Sequence, residues 1–386
     1  MRALLTVWLA WLSVMAGTNL AAPLYHVYAA EFGFSALVIT LIFTTYAAVL
    51  IPTLIVFGRL SDRVGRRPVL LAGIASAAIG LVVFAVADST VWLFVARVFQ
   101  GLAVGMISGP ATAALVELDP KRLEQRPALL AGIAQVGGSM LGPLVGGALA
   151  EWAPAPLRLS YWVWLAVTAV VAAGTFTLPE PARRASERWR VQWPRVPAEI
   201  GSDFARVSLT AGLSWGSVAL YLSIVPSYVE ALLHTGNLAL LGAVSAVALA
   251  ASCVAQVISQ RRRVEVRRGQ GVGLILLATG LVLLAVAAPT HSLALLMVAA
   301  LAGGAGHGAG VIGAQDELNT IAPPLRRGEV TSAFVCCVYA GVAVAGVGVG
   351  LLSLGLGLTT AVTVVVAVLA VCAVATAGWQ ARVATR

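Results

Sequence analysis

Charge is what this sequence has least of. Only 11% of its 386 residues are Asp, Glu, Lys or Arg, against about 25% in an ordinary soluble domain. No globular surface is covered by so few, so lipid must be the solvent for most of the outside. Lysine occurs once, at Lys121, and no Asn-x-Ser/Thr acceptor is present; both suit a bacterial, GC-rich source. The four cysteines (Cys253, Cys336, Cys337 and Cys372) lie in apolar runs without metal-ligand spacing and read as small packing residues. A paired-His metal motif, a Gly-x-Ser-x-Gly elbow and a phosphate-binding Gly-rich Lys loop are all missing. Those absences argue against an enzyme and against ATP-driven pumping by this chain. His/Asp/Ser pairs within apolar runs, which an intramembrane protease or acyltransferase would want, are missing too.

What is abundant is hydrophobicity: 60% of residues are apolar and the mean hydropathy is +0.93. A span needs roughly 20 apolar residues to cross about 30 Å of hydrocarbon. Twelve candidates run near 4–26, 35–57, 68–87, 91–114, 127–150, 159–178, 207–229, 237–259, 271–289, 292–314, 328–350 and 354–378. The runs are continuous rather than alternating, which predicts helices that satisfy their own backbone in lipid. The first twenty residues also have the outline of a signal peptide, with Arg2, an apolar run and small residues near Ala16-Gly17 and Ala21-Ala22. They are read as a first span because the paired organisation described next needs twelve.

The net charge is +9. With a cytoplasmic amino terminus, all of the 25 Lys/Arg residues but Arg97 and Arg158 fall inside. That is a strong positive-inside bias, and it predicts a multi-pass protein of a bacterial inner (plasma) membrane with both termini cytoplasmic. Basic character here orients the chain toward lipid and does not mark a nucleic-acid partner. The loop 179–206 divides the chain into six-span units, 1–178 and 207–386. An offset of about 200 residues brings the halves into register: Glu117-Leu118 onto Glu317-Leu318, the basic loop 59–67 onto 261–268, and Lys121, Arg122, Arg126 and Pro127 onto Pro323, Pro324, Arg326 and Arg327. Equivalent loops share a side, so the repeat is parallel. Two such halves can rock about a midplane site. In the central loop, Arg183, Arg184, Arg188, Arg190 and Arg195 interleave with Trp189, Val191, Trp193 and Val196. This pattern suits the headgroup layer as well as a plain tether.

Between the second and third spans stands Gly58-Arg59-Leu60-Ser61-Asp62-Arg63-Val64-Gly65-Arg66-Arg67-Pro68. The glycines permit a tight turn and Pro68 suits the first turn of a helix. Asp62 would be costly near lipid unless it met arginines or the positive end of a helix. This run closely resembles the cytoplasmic loop motif of the major facilitator superfamily, Gly-x-Leu-x-Asp-Arg-x-Gly-Arg-Arg/Lys. The resemblance implies that Gly58, Asp62, Arg63, Gly65, Arg66 and Arg67 form a gating loop that latches span two near the start of span eleven. The second half has only a degenerate copy, residues 260–268, which keeps charge but lacks the glycines.

Two further motifs point the same way. Arg97, Gln100, Gly101 and Gly105 in span four resemble the family's Arg-x-x-Gln-Gly-x-x-x-Gly. A charge at a helix centre costs at least roughly 2.5–3.5 kcal/mol, so Arg97 should face water, a partner or substrate, unless it snorkels to the interface. The resemblance gives Arg97, with Gln100 and Gly101, a role in proton coupling or in the charge balance of a central cavity. In span five, Gly142-Pro143-Leu144-Val145-Gly146-Gly147 resembles the Gly-Pro-x-x-Gly-Gly of the 12-span drug/proton antiporter branch. Gly138, Gly142 and Gly146 share one helix face on which another helix can approach closely, and Pro143 introduces a bend. Gly242, Ala246 and Ala250 in span eight repeat the spacing and are the expected partner face.

One departure matters. Antiporters of this kind often carry an acid in the first span, and residues 4–26 contain none. Glu31 is the carboxylate nearest the first two spans on the outside. His307, the histidine well within a span, titrates in the useful range, yet it is flanked by glycines and equally suits helix packing. Candidate cavity groups are Asn19, Tyr25, Gln135, Tyr221 and His307, together with Thr18; each is equally suited to an interhelical hydrogen bond.

The expected fold is therefore an all-α integral membrane protein of 12 transmembrane helices in two parallel six-helix repeats. The expected function is secondary export of small organic compounds, drug-like or metabolite, by proton antiport through alternating access. Uptake of a sugar or metabolite by proton symport is the alternative. The expected partners are lipid, protons and a small molecule, with no cofactor or metal, and a monomeric chain.

Overall fold

The computed structural model describes residues 2–119, 126–180, 193–262 and 264–384. Expectations for Lys121, Arg122, Arg183, Arg184, Arg188, Arg190, Trp189 and Val191 lie outside those residues. The described chain is helical apart from short connections, for the reason the apolar runs gave: in lipid a helix closes its own backbone hydrogen bonds. In the first half the helices are α1 (Arg2–Asn19), α2 (Tyr25–Phe32), α3 (Ala36–Val64), α4 (Arg66–Ala85), α5 (Thr90–Leu118), α6 (Arg126–Trp152) and α7 (Leu159–Phe176). In the second they are α8 (Gly201–Ser223), α9 (Val225–Leu233), α10 (Leu238–Arg261), α11 (Val266–Thr290), α12 (Leu293–Ile321), α13 (Arg327–Leu356) and α14 (Leu358–Ala384).

Among the described residues, eleven spans are long and apolar enough to cross a membrane, and a twelfth arises when α8 and α9, bent by 53°, are taken as one. The first span is α1 and α2 together, interrupted by a 3-10 turn at Ala22–Leu24 that has Pro23 at its start. Proline is tolerated there because a helix start has no partner for its missing N–H. The seventh span breaks at Ile224 in the same way, with Pro226 in the first turn of α9.

Contacts divide the chain into two units. The first holds residues 1–33 and 45–192, and the second holds residues 34–44 and 193–386. Within the first, α1 packs on α5, α6 and α7, and α4 lies along α5 and α7. Within the second, α12 packs on α8, α10 and α11, while α13 and α14 lie on α8 and α11 respectively. Large side chains such as Val167, Val170, Val282, Val298, Leu301 and Val371 point outward. A belt of exposed apolar surface on this scale fits lipid and no aqueous surface.

Helix ends fall differently from the sequence expectation at four places. The presumed loop 59–67 is helical through Val64 and again from Arg66, leaving Gly65 alone as the break. Residues 261–268 shrink likewise to a short connection between Arg261 and Val266. Glu117 and Glu317 lie inside the last turns of α5 and α12 and not in loops. The reason is common to all four: without a glycine, proline or cap to stop it, a helix continues past the hydrocarbon boundary into polar sequence.

Candidate functional site

The motif turn is built around Gly65. Its φ of +109° is a conformation that a side chain would strain, and a methyl there would meet Glu180 Oε2 at 2.5 Å. Glu180 follows α7 and accepts hydrogen bonds from the backbone N–H of Arg66 (2.5 Å) and Arg67 (3.3 Å). It thereby satisfies donors that the start of α4 leaves without helical partners. The Arg67 guanidinium lies over the Phe176 ring, 4.9 Å from its centroid, and donates to the Leu178 carbonyl. Arg66 is buried: it pairs with Asp62, donates to Ser61 Oγ (2.6 Å) and reaches Glu117 Oε1 at 2.9 Å. Asp62 therefore meets an arginine of its own motif. Gly58 lies within α3, and Arg63 is exposed.

The second unit has its own counterpart, denser than the degenerate sequence copy suggests. Arg206 of α8 is fully buried and grips Glu317 of α12 through both oxygens, at 2.5 and 3.1 Å. It also meets Asp203 (2.9 Å) and the Gln380 side-chain carbonyl. Arg267 of α11 reaches Glu317 at 3.2 Å, and Gln270 donates to its other oxygen at 2.6 Å. Gln380 donates in turn to Gln270 Oε1 (2.7 Å) and Thr210 Oγ1 (3.1 Å). Every member is thus tied to another, which a buried ion pair requires. The sequence register anticipated the glutamates. It missed Arg206, taken as a loop residue, and it missed Gln270 and Gln380, whose signal was only that amides are rare in such runs.

The interior of the first unit centres on Arg97, whose side chain is 1% exposed. It turns inward and does not snorkel. Its Nη1 donates to the Thr18 carbonyl and to Gln100 Oε1, both at 2.8 Å, and Nη2 donates to the Tyr25 hydroxyl. The guanidinium lies 5.4 Å from the Tyr25 ring centroid and 5.9 Å from that of Phe84. The chemistry follows from the break in the first span. Where α1 stops at Asn19 its last carbonyls lose their helical partners and the helix presents its negative end, which a cation from α5 fills. Gln100 completes the join by donating to the Gly17 carbonyl at 3.3 Å. Gly101 permits the approach of α3: a methyl there would lie 2.7 Å from the Tyr46 carbonyl.

The glycine face of α6 meets α1. Methyls at Gly138 and Gly142 would sit 2.5 Å from the carbonyls of Leu12 and Ala16, and one at Gly146 would overlap that of Leu20. The partner face is therefore the first helix of the same unit, which corrects the expectation of span eight. Small residues fix how close a helix comes but leave open which one comes. Pro143 is accommodated within a continuous α6, and Gly147 is buried beside the stripe. Asn19 donates to Ser139 Oγ of α6 at 3.3 Å and to the Met15 carbonyl at 2.8 Å, so it is an interhelical tie. Gln135 is half-buried one turn before Ser139.

Tyr221 and His307 belong to the second unit. Tyr221 is buried, and its hydroxyl has no hydrogen-bond partner among the described residues. His307 is fully buried, edge-on to Trp215 with ring centroids 4.9 Å apart, and its Nδ1 lies 2.7 Å from Ser252 Oγ. The structure thus brings Asn19, Tyr25, Arg97 and Gln100 to the broken first span, and Tyr221 and His307 to the packed helices α8, α10 and α12.

Comparison with known proteins adds an independent line. A family model described as Major Facilitator Superfamily matches residues 7–268. The multidrug transporter MdfA of Yersinia pestis (strain Angola) is 29% identical over 171 residues, 44% of this chain and 40% of that protein. A triacylglyceride transporter of Mycobacteroides abscessus is 38% identical over 146 residues, 36% of this chain and 27% of that one. The matches span less than half the length of these curated relatives. Among solved structures, a bacterial homolog to the human lysosomal transporter Spinster, inward-facing and unoccupied, superposes with a TM-score of 0.79 at 16% identity, covering 98% of this chain and 96% of that one. The human organic anion transporter MFSD10 gives 0.70 at 18% identity, with 97% and 99% covered. At such identities these two structures speak to fold alone.

Proposed function

This chain belongs to the Major Facilitator Superfamily, and from that premise we propose that it exports small organic compounds across a bacterial inner membrane by proton antiport through alternating access. The observation that carries the reading is the joint at the broken first span. There Arg97 and Gln100 hold the carbonyl end of α1 while the glycine face of α6 presses against the same helix. The motif of the superfamily in span four and that of the antiporter branch in span five thus converge on one element. The multidrug and triacylglyceride transporters among the relatives support an apolar organic substrate.

The lack of acidic residues at the centres of the spans favours a neutral or anionic cargo over a strongly cationic one. In this reading the Gly65 turn, with Asp62, Arg63, Arg66 and Arg67, serves as the cytoplasmic gate, and the chain acts as a monomer with the proton gradient as its energy source. The test begins with deletion and overexpression strains screened against neutral, anionic and cationic toxic compounds. Everted vesicles carrying the protein are then energised, and the best compound is added. Proton release on addition that is lost in Arg97→Ala supports antiport, whereas proton-driven loading of right-side-out cells supports uptake instead.

A further inference from the structure

Helix α12 carries glycine at 303, 304, 306, 308, 310 and 313 around one imidazole. Two of these, Gly304 and Gly308, let α10 approach so closely that an added methyl would overlap the carbonyls of Ala248 and Ser252. Gly306 does the same toward α11, where a methyl would overlap the Leu277 amide. His307 is therefore clamped between backbones, with Trp215 of α8 edge-on to its ring. Among the described residues its one side-chain hydrogen-bond partner is Ser252 Oγ at 2.7 Å, and behind that serine Gln256 Nε2 donates to the same oxygen at 3.3 Å. Nε2 of His307 has no hydrogen-bond partner among the described residues. So buried a polar atom is costly to leave idle, and an ionisable group within a span is a functional-site candidate by default.

In the tautomer with the ring hydrogen on Nε2, the Ser252 hydroxyl donates to Nδ1 while its oxygen accepts from Gln256. We propose that Nδ1 of His307 is the proton-binding site of the second unit, with Ser252 as the rotor that admits the proton. This deepens the antiport reading and rests on it. When a proton arrives at Nδ1, the bond from Ser252 O–H to Nδ1 is broken and one from Nδ1–H to Ser252 Oγ replaces it. The serine hydrogen turns to the carbonyl four residues back, at Ala248. Ser214, Ser217 and Ser223 of α8 already bond their own chain in this manner, at 2.7–2.8 Å.

The other titratable groups on the packed helices are Asp203, Arg206 and Tyr221 of α8, Cys253 and Arg261 of α10, and Arg267 and Arg268 of α11, with Asp316 and Glu317 on α12 itself. The Arg206–Glu317–Arg267 cluster is closed on itself, and no carboxylate contacts His307 among the described residues. An imidazolium sealed in this packing would be an uncompensated buried charge. Protonation is therefore tied to the conformation that opens the site, which makes the proton a ligand for that conformation.

Trp215 reports the event directly, since a protonated imidazole at its edge quenches indole emission. The full chain in lipid nanodiscs is titrated without substrate across the range where imidazole ionises. The expected result is a reversible loss of emission on acidification that is absent in His307→Gln and in Trp215→Phe, with its midpoint displaced in Ser252→Ala. The same step in His307→Gln, or none in the wild type, overturns the proposal. In energised vesicles His307→Gln is expected to lose proton-driven accumulation of whichever compound the wild type moves. If it keeps that coupling, the carrier is elsewhere and antiport stands. If the wild type moves no protons with substrate, antiport fails, and the emission step alone judges proton binding at His307.

Discussion

Glu117 and Glu317, 200 positions apart, end equivalent helices and each holds an arginine from the start of the preceding span: Arg66 at 2.9 Å in one unit and Arg267 at 3.2 Å in the other. The internal repeat read from spacing is thus a repeat of bonding. Its second copy has grown by the addition of Arg206, Gln270 and Gln380. Its energetic weight there falls on Arg206, which is 0% exposed.

Glu317→Ala leaves that guanidinium with only the half-exposed Asp203 as a counter-charge among the described residues. Breaking a buried pair by removing one partner costs about 3–5 kcal/mol. A markedly lower unfolding midpoint in detergent is expected, and Arg206→Met with Glu317→Leu should recover much of it. A single variant as stable as the wild type would mean the cluster is hydrated and energetically idle.

At the broken first span, Arg97→Lys is expected to behave as a loss. Lysine carries the charge but cannot reach Thr18, Gln100 and Tyr25 together with a planar fork. Tyr25→Phe deletes a single hydrogen bond to a charged group, a loss of about 1.5–3 kcal/mol. Transport assays in everted vesicles should rank wild type, then Tyr25→Phe, then Arg97→Lys. Full activity in Arg97→Lys would show that charge alone suffices.

Substitution at the α6 stripe tests helix approach. Gly142→Ala should destabilise by about 1–3 kcal/mol, since its methyl must displace the α1 backbone. Alanine at Gly201, where open space surrounds the position, should be neutral. Thermal unfolding of both variants decides it. Equal behaviour would argue that α1 and α6 are not held at this distance.

The Gly65 turn separates two causes. Glu180→Ala removes the cap from α4 and the group that a Gly65→Ala methyl would strike. The double variant should still fold less well than Glu180→Ala alone, because the strain at φ +109° remains and is worth about 1–3 kcal/mol. Yield of monodisperse protein is the readout, and parity between the two would assign the whole defect to the clash.

How legible was this in the sequence? Span positions and the parallel repeat were, because an uncharged run of twenty residues has few other uses. The 58–68 motif was legible as a turn, but its true break is one residue wide, since only Gly65 needs a non-helical backbone. The glycine face of α6 was readable from i, i+4 spacing, yet its partner was not, because periodicity names a face and never what covers it. Arg97 announced itself as an intramembrane charge. What neutralises its surroundings is a backbone carbonyl exposed by a helix break, and Pro23 was its only trace. The Arg206 cluster stayed hidden because its members come from α8, α11, α12 and α14 and share no local pattern.

The interruptions at Leu20–Leu24 and at Ile224 stand about 200 residues apart, at matching points of the two halves. A rod already cut at one point flexes there without losing the turns on either side. The short pieces Tyr25–Phe32 and Val225–Leu233 are thus joined to the rest of their spans by a break and held sideways by tyrosines, Tyr25 on Arg97, Tyr28 on Tyr161 and Tyr228 on the Leu284 carbonyl, while the longer pieces are pinned by Arg97 and by Arg206.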